Sequence, residues 1–524
     1  MNKNTKKLSF LIFGLVFIVF LFTSDGHRYT IDEFLGQEMS YHITIMEPDP
    51  NYVDGESKHF FNLPLFNPWN NGALCDNGIL CYPVSIFYSI TQVPFIAINH
   101  YFPIIDQNTL VLTIDDFADP HYNFWRNSQN ADLVFMELFY GPFISALLVT
   151  IFFLICIEQK FSRNTSVILT FLLAFSTLIW AYSTTSLNTL PAGLFVLVGY
   201  LFYKKFNRLN EKKFLLFCSI SFGFSFLIRN DTILFIIPIW FSILISVLKR
   251  DKKINSIFIL SIPLLFSYYI TKILPSFLVK QSLDSSVSSS VSNQLETFTS
   301  IIPVHLISDL LRIDFVTRSA GLLFSPGIGL FIFVPILLTI FFSFPDFFRK
   351  NKSDCILFIT FFLLSFLFHV SSTGWHGLVA WGPRYLVLVI PFLLIPLGAS
   401  IEQRNKRLMF TIIIILGILG IFYNISYIIQ DVSWFVWGQP GNVYGLYGIA
   451  ILAGSDASPM YLHPNTIWTF QYSQLTHSIL LMFNNLHHDI YLLHVFGTFT
   501  YVILFVSIIG SILTFYFLKI FRKE

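Results

Sequence analysis

Long apolar blocks dominate the chain, and short polar connections separate them. An apolar block of about 17–25 residues is long enough to cross a bilayer as one helix. The first block is short and follows three lysines, so a signal anchor and a signal peptide both stay open; we keep it as a span. We predict about twelve spans, at residues 8–22, 134–157, 165–182, 187–203, 214–229, 232–248, 254–274, 320–344, 355–371, 384–400, 408–429 and 497–518.

Composition supports this map. Only 12% of the 524 residues are charged and 54% are hydrophobic, including 62 Phe. Soluble domains carry about 25% charged residues, so a water-soluble globule is excluded. The net charge of +2 and the lack of basic runs give no support for nucleic-acid binding. The sequence therefore predicts an all-α polytopic membrane protein.

The distribution of charge predicts the orientation of the bundle. The N-terminus, the C-terminal tail and five short loops hold 23 of the 32 Lys and Arg but 7 of the 30 Asp and Glu. Basic residues favour the cytoplasmic side. We therefore predict a multi-pass protein, in the plasma membrane, with both termini in the cytoplasm.

The apolar stretch at residues 81–102 tests this topology. One extra crossing there would invert every later loop and place the basic loops outside. We interpret the stretch as a helix lying on or dipping into the outer interface. A pair of missed crossings is the alternative.

Three long segments fall on the outer side, at residues 23–133, 275–319 and 430–496, whereas the inner loops are short. This asymmetry predicts that the protein works at its outer face. Cys75 and Cys81 lie in the first segment and either form a disulfide or remain free thiols.

Acidic residues in the first outer segment are candidates for chemistry. Asp32 and Glu33 follow the first span closely; they either cap a helix or supply a general base or metal ligand. Asp116 and Asp119 belong to a second acidic group with Asp115, His121 and Asp132. That group is either a solvated loop or a site for a hard cation.

Arg384 stands in GWHGLVAWGPRYLVLVIPF, at residues 374–392, where an outer loop meets a span. It either snorkels beside an aromatic belt of Trp375 and Trp381 or binds phosphate oxygens at headgroup depth. Arg229 ends another span and allows the same two interpretations. The turn at residues 325–329, Ser-Pro-Gly-Ile-Gly, either admits a ligand or backbone closely or breaks a span.

These stretches together resemble prokaryotic membrane glycosyltransferases of the GT-C superfamily, which includes protein O-mannosyltransferases and aminoarabinose lipid A transferases. Residues 374–392 resemble the pattern W-x-G-G-x-x-W-G-P-R-Y, and residues 322–335 resemble S-P-G-R-G-L. The acidic pair and the Arg229 step occur in the same order as in that group. The sequence departs from the family pattern at Asn230, Ile328 and Leu378.

The resemblance implies a GT-C-like bundle with outer loops and interfacial helices. Its catalytic module would span residues 1–429. Beyond the resemblance, we predict an outer region at 430–496 and a final span with a basic tail at 497–524. It implies inverting transfer of a sugar from a polyprenyl-phosphate donor to a protein, lipid or glycan acceptor. No cofactor is implied, although a divalent cation is compatible.

The resemblance also implies residue roles. Asp32 would act as base or metal ligand, Glu33 would contact the sugar or orient Asp32, and Arg384 with Arg229 would bind the donor phosphate. The remaining implied substrate contacts are Trp375, His376, Trp381, Tyr385, Asp116 and Asp119.

Other classes remain open. A transporter or flippase of a polyprenyl-linked glycan would need charges along a path through the membrane, whereas here they cluster at the outer ends of spans. A glycan polymerase or ligase would use a diphosphate-linked donor instead. A non-catalytic receptor or scaffold would not explain why Arg384 and the acidic pair lie on the same, outer face of the membrane.

Overall fold

A computed structural model describes residues 3–28, 30–45, 85–110, 130–249, 258–259, 261–270, 313–372, 375–377, 380–403, 407–430, 464–484 and 488–517. Every regular element in these ranges is helical, and none is a strand. The predicted all-α class is therefore confirmed. Cys75, Cys81, Asp115, Asp116, Asp119 and His121 lie outside the described residues.

The first half of the chain forms these α-helices: α1 (Lys3–Phe22), α2 (Ile31–Ile45), α3 (Ile86–Tyr101), α4 (Ala131–Glu158), α5 (Arg163–Phe175), α6 (Ile179–Ser183), α7 (Thr189–Leu209), α8 (Lys212–Ile228), α9 (Ile233–Lys249) and α10 (Ser261–Ile270). Short 3-10 helices lie at Gln107–Thr109 and Asn230–Thr232.

The second half forms α11 (Ile313–Phe324), α12 (Leu330–Phe333), α13 (Ile340–Lys350), α14 (Lys352–Ser371), α15 (Ile390–Leu394), α16 (Leu397–Ile401), α17 (Arg407–Ile428), α18 (Pro464–Trp468), α19 (Gln474–Asn484), α20 (Tyr491–Phe496) and α21 (Phe499–Phe517). Short 3-10 helices lie at Pro335–Thr339 and Arg384–Val389.

Five segments of the described chain are long and apolar enough to cross a membrane: Asn4–Phe22, Ala131–Glu158, Lys352–Ser371, Arg384–Ile401 and Arg407–Ile428. Their length and composition support an integral membrane protein. The number of twelve spans, the orientation of the bundle and the three-part division of the chain stay predictions.

Three predicted spans are not continuous helices. Residues 320–344 are divided among α11, α12, a 3-10 helix and α13, because the turn at 325–329 and Pro335 interrupt the backbone ladder. Residues 165–182 are divided between α5 and α6. Residues 384–400 begin as a 3-10 helix and continue as α15 and α16, with Pro391 and Pro396 near their starts.

The stretch at 81–102 forms α3, whose first turn is capped by Ser85, the hydroxyl of which accepts from the Phe87 amide at 3.2 Å. Tyr88 and Ile96 are buried, whereas Tyr101 and Phe102 are exposed. The helix packs on α2 and α4. An amphipathic helix of this kind suits an interface, but its place in the membrane stays a prediction.

Helix α4 is the centre of the packing, since α1, α3, α5 and α7 all contact it. The segment at residues 384–401 is the most enclosed: 89% of it is buried, against 28% for the most apolar stretch of α17. The predicted phosphate-binding arginine therefore stands at the head of an interior segment.

The connection from α6 to α7, residues 184–188, is mostly polar, yet Thr184, Thr185 and Ser186 are buried. We call it the polar connection. Gly141 of α4 permits it to lie close, because a Cβ at this position would stand 2.3 Å from the Ser183 carbonyl oxygen and 2.6 Å from that of Thr185. The absence of a side chain at Gly141 thus lets the backbone of the polar connection pack directly against α4.

We predict that Gly141→Ala lowers the apparent melting temperature, because its Cβ meets fixed backbone and overpacking costs about 1–3 kcal/mol or more. Gly14→Ala is the matched control, since a Cβ there meets nothing within 4 Å and Ala favours a helix. Thermal unfolding in detergent would measure both. Equal melting temperatures for Gly141→Ala and the wild type would contradict this packing.

Candidate functional site

Arg384 and Asp32, 352 residues apart in sequence, form an ion pair. The Arg384 Nη2 atom donates to Asp32 Oδ2 at 2.8 Å. The Arg384 side chain is 10% exposed and that of Asp32 is 41% exposed. The structure therefore brings together two of the predicted site residues, with the carboxylate on the accessible side.

Arg384 retains donor capacity beyond this pair. Its Nε atom is buried and finds no hydrogen-bond acceptor among the described residues. A buried N–H without an acceptor is costly, and a guanidinium presents its donors in a fork that matches a phosphate. The arrangement can therefore accept a second anion beside Asp32.

Two glycines shape the backbone that leads to Arg384. Gly377 has φ +75° and Gly382 has φ +63°, in the left-handed region that favours glycine. A Cβ on Gly377 would stand 3.2 Å from the Cβ of Arg384. The backbone at Gly377, directly after His376, thus lies against Arg384.

Glu33 is fully buried and caps the start of α2. Its Oε2 accepts from the Thr30 amide at 2.8 Å, while the Glu33 amide donates to the Thr30 hydroxyl at 3.4 Å. This reciprocal pattern is a capping box. Its Oε1 accepts from the Ser186 amide at 2.8 Å, which ties α2 to the polar connection. The two predicted roles of Glu33, contact with a sugar and orientation of Asp32, both stay predictions.

Arg229 is held within its own network. It donates from Nε and Nη2 to both oxygens of Asp231, at 2.7 and 2.8 Å, and from Nη1 to the Thr189 hydroxyl at 2.6 Å. The His369 Nε2 lies 3.4 Å from Asp231 Oδ2. Burial alone would raise the pKa of Asp231, but Arg229 and His369 outweigh it and hold that pKa well below its usual range.

Tyr385 connects the two arginines. Its ring stacks on His369 with centroids 4.5 Å apart and an interplanar angle of 8°. The Arg229 guanidinium lies 5.8 Å from the centre of the same ring. Because Tyr385 follows Arg384 directly in the chain, it links the Arg229 network to Arg384. The predicted contact of Tyr385 with a substrate stays untested.

The two tryptophans differ in exposure. Trp381 is only 2% exposed and packs edge-on against Phe333 with centroids 4.8 Å apart. Trp375 is half-buried and lies edge-on to His376 with centroids 5.8 Å apart. Burial, and secondarily the charge of Arg318, lowers the pKa of His376, so its imidazole is neutral at pH 7.

The turn at residues 325–329 is filled by the chain itself. The Gly327 amide donates to the Ile467 carbonyl at 3.0 Å, and a Cβ on Gly327 would stand 2.2 Å from the Thr466 carbonyl oxygen. Gln474 donates to the Gly327 carbonyl at 2.7 Å. The structure shows both predicted features of this glycine-rich turn: it interrupts the span, and another backbone segment approaches it closely.

Asp231 and His369 were not singled out from sequence. Asp231 lies two residues after Arg229 in LIRND, and this spacing of opposite charges is the signal from which an ion pair could have been predicted. His369 carried no local signal, because its contact with Asp231 joins segments 138 positions apart in the numbering.

Comparison with known families supports the resemblance. The profile of the dolichyl-phosphate-mannose-protein mannosyltransferase family matches residues 135–271, about a quarter of the chain. This match confirms the predicted resemblance to GT-C membrane glycosyltransferases and supports glycosyltransferase as the class of enzyme. No curated protein matches the chain by sequence.

Two solved structures of ArnT from Cupriavidus metallidurans are similar to this chain. The apo form is 12% identical, with a TM-score of 0.44 over 88% of this chain and 75% of ArnT. The form bound to undecaprenyl phosphate is 11% identical, with a TM-score of 0.45 over 92% of this chain and 78% of ArnT.

We predict that Asp231→Asn lowers the free energy of unfolding by about 3 kcal/mol, because it leaves the enclosed Arg229 without its counter-charge. The double variant Arg229→Gln/Asp231→Asn should recover part of that loss. Denaturation in detergent would measure both variants.

The control for Asp231→Asn is Glu211→Gln, which breaks the exposed pair between Glu211 and Lys213. Exposed pairs contribute little, so this change should stay within about 0.5 kcal/mol. Equal effects of Asp231→Asn and Glu211→Gln would show that the Arg229 network does not stabilise the fold.

Proposed function

We propose that this protein transfers a sugar from a polyprenyl-phosphate donor to an acceptor at the outer face of the membrane, with inversion at the anomeric carbon. The observation that carries the proposal is the enclosed Arg384, which holds the accessible Asp32 and has a further N–H without an acceptor among the described residues. The family match supplies the reaction class.

The donor phosphate is the leaving group in this reaction. The bond from the anomeric carbon to the phosphate oxygen breaks, and negative charge develops on that oxygen. Arg384 stabilises the charge through a planar, permanently charged fork inside a poorly solvated site, where such an interaction is strong. The undecaprenyl phosphate in the ArnT crystal structure gives a lipid phosphate of the same chemical class.

Asp32 serves as the base. The acceptor hydroxyl attacks the anomeric carbon, a bond forms to its oxygen, and its proton passes to the Asp32 carboxylate. The phosphate binds beside Asp32, through the Arg384 Nε that has no acceptor among the described residues. One guanidinium therefore holds the base and the leaving group next to each other.

The polar connection gives this pair its geometry. Glu33, next to Asp32, is fixed to Ser186, and Arg229 is fixed to Thr189 at the start of α7. Catalytic groups lose much of their effect when misplaced by about 1 Å, so fixed neighbours matter. Glu33 and Arg229 accordingly act as positioning residues in this proposal.

Donor turnover tests the proposal directly. The purified protein in lipid would receive polyprenyl-phosphate hexose with a labelled sugar and an acceptor extract, and the release of polyprenyl phosphate would be followed. We expect Asp32→Asn and Arg384→Ala each to lower the release rate by about 10²-fold or more. Arg384→Lys keeps the charge but loses the fork, and should also be impaired.

Arg208→Ala is the matched control. Arg208 Nε lies 2.7 Å from Glu158 Oε1, and this ion pair is not part of the candidate site. It should keep wild-type release. Wild-type rates for both Asp32→Asn and Arg384→Ala would overturn the assignment. Absence of release while labelled lipid crosses the bilayer would identify a flippase instead.

A separate measurement tests the outer face. In a variant without native cysteines, Asn108→Cys lies on an exposed 3-10 helix and Lys213→Cys lies at the exposed start of α8. We expect an impermeant thiol reagent added to whole cells to label Asn108→Cys, and Lys213→Cys only after permeabilisation. The reverse pattern would place the site in the cytoplasm.

A further inference from the structure

A second cluster of ligand-type side chains lies where the end of α1 meets the segment that precedes α20. It consists of Asp25, His27 and Asp489, all buried. One ligand atom from each residue lies within 4.8 Å of the other two. The sequence indicated none of this, because Asp489 is more than 460 positions from the other two residues.

The hydrogen bonds around His27 orient its ring toward Asp489. Its Nε2 lies 2.8 Å from Asp489 Oδ2, and its Nδ1 lies 3.4 Å from the Arg28 carbonyl oxygen. A metal ion bound by Nε2 and Asp489 would replace the proton that these two atoms share, because metal ligands are deprotonated. Nδ1 would then carry its proton toward the carbonyl oxygen. Metal-bound histidines commonly donate their other ring N–H to a backbone carbonyl in this way.

Two of the three side chains are buried carboxylates. Asp25 and Asp489 both lie beside His27. Buried carboxylates are normally paired or coordinate metals, and a divalent ion would offset the charge of the two aspartates.

We propose that Asp25, His27 and Asp489 bind a divalent transition-metal ion. One imidazole and two carboxylates are a ligand set for Zn²⁺, with a fourth position for water. Ligand atoms on one tetrahedral ion at about 2.0–2.2 Å lie roughly 3.3–3.6 Å apart, so small side-chain shifts suffice. Zn²⁺ should bind more tightly than Mn²⁺ at such a site.

The ion fastens two distant parts of the chain. The segment around Asp489 already contacts the end of α1 through the Tyr491 amide, which donates to the Ser24 carbonyl at 3.0 Å. The Asp489 amide donates to the Ile429 carbonyl at 3.0 Å. A metal here closes a loop of more than 460 residues and holds the connection that leads to Asp32. This role is independent of the transferase proposal.

Metal analysis and thermal unfolding test the site without an activity assay. The full-length protein would be purified in detergent, stripped with a chelator, and reloaded with Zn²⁺ or Mn²⁺. We expect about one Zn²⁺ per chain after reloading, and a melting temperature roughly 5 °C higher than in the stripped protein. His27→Gln and Asp489→Asn should lose both the ion and the shift.

The matched control is His100→Gln. His100 pairs with Asp132 at 3.0 Å, which makes it a histidine–aspartate pair outside the proposed metal cluster. It should retain both the ion and the shift. Failure of the wild type to bind Zn²⁺ or Mn²⁺ above the level of His27→Gln would overturn the proposal. So would an equal Zn²⁺-induced shift in wild type and His27→Gln, and neither result depends on sugar transfer.

Discussion

Buried charge needs a partner in an apolar bundle, and this constraint organises the end of the molecule that carries the candidate site. An unpaired charge in the interior is expensive, so breaking one half of a buried pair costs several kcal/mol. Arg384 pairs with Asp32 and Arg229 pairs with Asp231. The Arg384–Asp32 pair joins two segments that are 352 residues apart, whereas Arg229 and Asp231 lie within one turn that Arg229 links to Thr189.

The two arginines meet this constraint differently, and the difference separates their roles. Arg229 donates to Asp231 with two nitrogens and to Thr189 with the third, so its fork is satisfied. Arg384 is held through Nη2, and its buried Nε has no acceptor among the described residues. Of the two predicted phosphate ligands, Arg384 is therefore the one with capacity for a lipid phosphate.

Sequence reasoning placed Asp32 and Arg384 on one face, because the predicted topology puts both at outer ends of spans, but it did not predict the ion pair between them. It also reached the helical class, because long apolar blocks leave little choice. It gave a broken span as one of two interpretations of the turn at 325–329, because hydropathy alone does not locate backbone turns. It missed the docking of residues 464–484 and 488–491, because contacts between distant segments leave no periodic sign in the sequence.

Trp381 shows the same limit at the level of one side chain. An aromatic residue beside an arginine at a span boundary fits an interfacial belt or a sugar platform equally well in sequence. Its actual partners are Phe333 and Tyr427, which are supplied by distant segments. Exposure, which only the fold determines, distinguishes Trp381 from the half-buried Trp375.

The uncharged polar connection at 184–188 explains how charged groups can be positioned without further charges. Its backbone provides the Ser186 amide for Glu33 and the Ser186 carbonyl for the Tyr88 hydroxyl. Neutral backbone groups fix a carboxylate at a lower desolvation cost than a second ion would require. This run of serine and threonine resembles a surface loop in sequence, but it is buried and its backbone makes hydrogen bonds to side chains of other helices. The geometry of the charged pair therefore depends on a segment that carries no charge.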